Sequence, residues 1–88
     1  MKIAQGFALK KIADSFVVVP TGKNIVDFTA MITINETGAF IWNILQEECD
    51  IKTIAQKMCD EYDIDMQTAT NDAIEFLQIL EDNKVLEK

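Results

Sequence analysis

Met31-Ile32-Thr33-Ile34-Asn35-Glu36-Thr37-Gly38-Ala39-Phe40-Ile41-Trp42 changes its periodicity halfway along, and the fold is read from that change. Ile32, Thr33 and Ile34 are β-branched and favour a pleated strand, in which successive side chains point to opposite faces. The alternation predicts Met31 and Thr33 on one face, with Ile32 and Ile34 on the other. Asn35 is a preferred N-cap residue, and Glu36 suits the positive end of a helix dipole. Phe40, Ile41, Trp42, Ile44 and Leu45 then cover more than one side of a helix over residues 35–46. Such a helix is packed both by a sheet and by another helix.

Upstream, Phe16-Val17-Val18-Val19 is aromatic or β-branched and stops at Pro20, which cannot donate to a ladder. Leu9, Ile12 and the Asp14-Ser15 pair predict a preceding strand closed by a tight turn. Thr21-Gly22-Lys23-Asn24 supplies the next turn, and residues 25–34 carry the third strand. Downstream, Asp50 caps a short helix through Ile51, Ile54, Ala55, Met58, Cys59 and Tyr62. Asp65 caps a longer one through Met66, Ala69, Ala73, Phe76, Leu77 and Leu80, with Asn83 as its stop. Val85 and Leu86 are placed to fold back onto the core. Three strands followed by three helices read as α+β, in a single domain over residues 1–88.

Fifteen acidic residues face eight lysines and no arginine, a net charge of −7 that repels phosphate backbones. Nucleic acid is therefore not an expected partner. Cys49 and Cys59 stand without any histidine, so neither a four-ligand zinc site nor a Cys-His nucleophile can be assembled, and both are read as reduced apolar fillers. Glu47-Glu48, Asp60-Glu61 and Glu81-Asp82 are adjacent pairs that diverge on a helix, which makes them solvated surface rather than acid/base machinery. Asp60, Asp63 and Asp65 lack the glycine and the terminal glutamate of a calcium loop. Gly6, Gly22 and Gly38 sit in no phosphate-cradling pattern. No catalytic residue, cofactor or metal is expected. The longest apolar stretches fall far short of the about 20 residues of a membrane span. Lys2, Gln5, Lys10 and Lys11 interrupt the first 13 residues, unlike a secretory signal, which predicts a cytoplasmic protein with no membrane partner.

The third helix has an apolar arc wider than one core contact requires. Met66, Ala69, Ala73, Leu77 and Leu80 cluster about one direction, while Phe76 and Ile79 extend the arc beside Asp72 and Thr68. Both flanks could simply be covered by the sheet and the first helix. The third strand carries no Lys, Glu or Pro to blunt an edge. A bare strand next to spare apolar helix surface is what peptide recognition by strand addition requires. Two alternatives stay open: the strand is central, or it pairs with its own copy in a homodimer. A winged-helix DNA-binding regulator is the rival function, against which stand Asp65, Asp72, Glu75, Glu81 and Asp82 on the third helix.

Phe16-Val17-Val18-Val19-Pro20-Thr21-Gly22, Ile34-Asn35-Glu36-Thr37-Gly38-Ala39-Phe40-Ile41-Trp42, Asp50-Ile51-Lys52-Thr53-Ile54 and Phe76-Leu77 follow one another in an order that resembles the PqqD-like family over residues 9–86. The resemblance implies a winged helix-turn-helix-like fold and a non-catalytic peptide chaperone. Its third strand and third helix would grip the leader of a ribosomally made precursor peptide and present it to a modifying enzyme, commonly a radical S-adenosylmethionine protein. Carried over by position, the peptide-binding residues would be Met31, Ile32, Thr33, Ile34, Ala69, Asp72, Ala73, Phe76 and Ile79. Truncating one anchor, as in Phe76→Ala, is expected to weaken binding by about 1–2 kcal/mol. This chain differs from the members serving pyrroloquinoline quinone synthesis in a longer connection over residues 23–30, and in Lys84-Val85 where those carry Gly-Trp.

Overall fold

Ala13 occupies the left-handed region, with φ of 55°, because a two-residue hairpin loop needs a positive φ to match the twist of its strands. That loop, Ala13-Asp14, joins β2 (Phe7–Ile12) to β3 (Ser15–Pro20), with Ile12 opposite Ser15. The turn thus lies one residue earlier than the sequence suggested, since Ser15 already belongs to the strand. The computed structural model describes residues 1–21 and 32–87. The predicted turn beyond Thr21, the first part of the third strand and Met31 lie outside the described residues. What is described of that strand is β4 (Ile32–Ile34), antiparallel to β3, and the sheet order is β2-β3-β4.

Three helices follow: α1 (Glu36–Ile44), α2 (Ile51–Glu61) and α3 (Met66–Asp82). Each begins where an Asx side chain accepts the N–H three residues on, which satisfies one of the orphan donors of a helix start. Asn35 accepts from Gly38 at 2.8 Å, Asp50 from Thr53 at 2.8 Å and Asp65 from Thr68 at 2.7 Å.

Hydrogen bonds from Thr53, chiefly through its side chain, hold the Asp50 carboxyl below the usual aspartate range, and the Thr68 backbone N–H does the same for Asp65. A carboxyl whose folded value is depressed stabilises the fold fully above its unfolded value. That contribution is lost as pH falls from there through the folded value. The thermal midpoint is therefore expected to drop on acidification below the ordinary aspartate range. Asp50→Asn with Asp65→Asn keeps two capping side chains that do not titrate, and circular dichroism melts should show a flatter acid limb for that variant.

A short ribbon not foreseen in the sequence ties the chain's two ends together. β1 (Lys2–Ile3) pairs antiparallel with β5 (Leu86–Glu87). Ile3 donates its N–H to the Leu45 carbonyl at 2.9 Å, and Ala4 to that of Val85 at 2.8 Å. The approach of β5 is set by the end of α3. Lys84 has φ of 61°, its N–H bonds to the Glu81 carbonyl, and the Val85 N–H reaches that of Leu80. This is a Schellman closure with lysine where glycine is usual. It turns Val85, which is wholly buried, into the core as expected. Lys84→Gly is expected to relieve about 1 kcal/mol of left-handed strain and raise the melting temperature by roughly 4–8 °C.

The core unites Val18, Ile32 and Ile34 of the sheet with Ile41, Trp42 and Leu45 of α1, Ile54 and Met58 of α2, and Ala69, Ala73, Phe76, Leu77 and Leu80 of α3. Buried residues on both flanks of α1 confirm that sheet and helices pack it from two sides. Cys49 and Cys59 are unpaired and half-buried against this core. Burial pushes the Cys49 thiol up, away from its reactive thiolate form.

Candidate functional site

Among the described residues β4 has one neighbouring strand. Ile34 faces Phe16, Thr33 faces Val17 and Ile32 faces Val18, and among the described residues no other strand or backbone group pairs with the opposite edge. In an antiparallel strand alternate residues aim their N–H and C=O groups away from the partner, and along that edge of β4 these groups have no partner among the described residues. Its side chains alternate as read from the sequence: Ile32 and Ile34 are buried and Thr33 is exposed. β2, at the far side of the sheet, exposes Lys10 and Lys11, charges of the kind that discourage strand pairing. β4 carries no such protection.

Where β4 ends, a cleft begins. Asn35, Thr37, Gly38 and Ile41 form one wall at the start of α1, while Asp72, Glu75, Phe76 and Ile79 form the other on α3, enclosing about 250 Å³. The four α3 positions are spaced i, i+3, i+4 and i+7, which places them on one helical face. Gly38 allows the walls to approach. A Cβ there would stand 2.9 Å from Phe76 Cε1 and 3.1 Å from Ile34 Cβ, so a residue that costs a helix about 1 kcal/mol relative to alanine is required by packing. Ile79 remains 42% exposed at the mouth, whereas Phe76, at 8%, belongs mostly to the core.

The structure thus gathers Asp72, Phe76 and Ile79 at one cleft, whose lining begins at Asn35, directly after Ile32, Thr33 and Ile34 in the chain. It does not place Ala69 and Ala73 there. Both are wholly buried in the core and offer no surface to a ligand. Asn35, Thr37, Gly38, Ile41 and Glu75 were missed as cleft residues. Glu75 was detectable, because it lies three residues from Asp72 and shares its face. Neither Asp72 nor Glu75 takes part in an ion pair among the described residues.

Chemically the cleft is suited to holding a side chain. Its volume falls below the roughly 300–1,000 Å³ of small-molecule sites. Among the described residues no group of three or more Cys, Asp or Glu is placed to hold a metal ion.

A three-stranded antiparallel sheet followed by three helices defines an α+β protein of winged helix-turn-helix-like form, here with an edge strand that is unpaired on its outer side among the described residues and leads to a cleft. The chain belongs to the coenzyme PQQ synthesis protein D (PqqD) family, whose model matches residues 16–86. No curated protein matches it in sequence. Two solved structures share the fold over nearly their whole length. TbiB1 in complex with the TbiA(beta) leader peptide is 28% identical, with a TM-score of 0.78, and the match covers 99% of this chain and 95% of that one. Lasso peptide synthetase B1 complexed with the leader peptide is 18% identical, with a TM-score of 0.71, covering 93% and 91%. At that identity the second comparison concerns the fold alone.

Proposed function

We propose that this chain is a non-catalytic, cytoplasmic recognition domain. It binds the leader of a ribosomally made precursor peptide as an added strand along β4 and presents it to a modifying enzyme, of the radical S-adenosylmethionine type that the family resemblance implies. The observation carrying this reading is the edge of β4, unpaired among the described residues, that leads into the cleft between α1 and α3. Main-chain hydrogen bonds along such an edge supply affinity, and the pocket beside it supplies selection. The complex of TbiB1 with its leader peptide supports it. The DNA-binding alternative gains nothing from the structure, because the exposed cleft face of α3 presents Asp72 and Glu75, which repel phosphate.

Calorimetry with the product of a short open reading frame sought near this gene tests the reading. A dissociation constant in the micromolar range or tighter, about −8 kcal/mol or better, is expected. No heat, together with unchanged amide resonances in β4, would exclude strand addition. Self-association through the same edge would compete with the peptide, so any homodimer of this kind should dissociate when the peptide is added.

A further inference from the structure

The cleft has a composition that strand addition alone does not explain. Ile41, Phe76 and Ile79 give it an apolar lining, but Asp72 and Glu75 stand on the same wall, and its remaining residues are the uncharged Asn35, Thr37 and Gly38. No lysine lines it. The two carboxylates are exposed and take part in no ion pair among the described residues. A peptide lying over them strips part of their water, and a carboxylate desolvated without a cation is costly. An acidic or purely apolar segment would leave that cost standing, whereas a lysine or arginine would offset it.

Resting on the strand-addition reading, we infer that the cleft selects a peptide segment in which one apolar side chain is accompanied by a lysine or arginine two residues away. The volume, about 250 Å³, and the close approach of Gly38 to Phe76 limit the apolar part to a single anchor. The spacing follows from strand geometry. Residues i and i+2 of an extended chain share a face, while i+1 points to the other side. The second neighbours are therefore the nearest residues to the anchor that share its face toward the acidic wall. Apolar surface at Ile79 and charge at Asp72 and Glu75 thus divide the recognition between them.

A displayed library of random 12-residue peptides, panned against the whole chain and sequenced, tests this. Winners on the natural chain should be enriched in a basic residue two positions from an apolar one. Asp72→Asn with Glu75→Gln should reduce the basic enrichment at least fivefold while the apolar preference stays. Glu47→Gln with Glu61→Gln removes the same charge away from the cleft and should leave both preferences intact. Winners without a positioned basic residue, or an equal loss in the Glu47/Glu61 control, would overturn the inference while leaving strand addition standing. A library yielding no winners would overturn strand addition, and this inference with it.

Discussion

Phe76→Ala is expected to remove about 3–5 kcal/mol of folding stability, the usual cost of truncating a buried aromatic. Phe76 is 8% exposed and sits in the core cluster, with its ring against the first turn of α1 and close to Ile34. A domain of this kind holds only about 5–15 kcal/mol in total, so the variant should lose a large share of its urea resistance. That loss would accompany the 1–2 kcal/mol weakening of peptide binding expected from the sequence. A weaker titration with this variant would therefore mix unfolding with lost contact. A urea midpoint unchanged in Phe76→Ala would contradict the placement of its ring in the core.

Ile79→Ser separates the two effects. Ile79 is 42% exposed and lines the mouth of the cleft one turn beyond Glu75, so removing its apolar surface should leave the fold within about 0.5 kcal/mol of the natural chain. Peptide affinity should fall tenfold to a hundredfold, about 1.4–2.8 kcal/mol. Calorimetry for binding and a thermal melt for stability read the two quantities independently. An affinity unchanged by Ile79→Ser would remove the cleft from the binding surface.

Much of the framework could be read from local chemistry. Asn35, Asp50 and Asp65 each cap the helix that their position predicts, because an Asx side chain satisfying the N–H three residues on is a property of the short segment itself. The alternation of Ile32, Thr33 and Ile34 was legible for the same reason. β1 was not, since a two-residue strand has no periodicity and exists only through its partner β5 at the other end of the chain. Asn83 was correctly read as the end of α3, but the left-handed residue that redirects the chain is Lys84, which carries none of the usual glycine signal.

The candidate site was half legible. A helical projection grouped Ala69 and Ala73 with Phe76 and Ile79, but it cannot tell which part of an apolar arc faces the core. That depends on how α3 is packed, and in the fold, where α2 is its main neighbour, the two alanines are completely buried while Ile79 stays at the surface. Gly38 carried no recognisable motif. Its meaning lies in the 2.9 Å separation between its missing Cβ and Phe76, a contact between residues 38 positions apart in the chain.

Amide hydrogen exchange of Ile32, Thr33 and Ile34, followed by NMR with and without a library-selected peptide, tests the central claim most directly. The outward-facing amides of this strand should exchange rapidly in the free chain and slow by at least tenfold when the peptide is bound, with cross-strand contacts to its backbone. Amides already protected in the free monomer, or unchanged in a saturated complex, would show that the peptide does not join the sheet at β4.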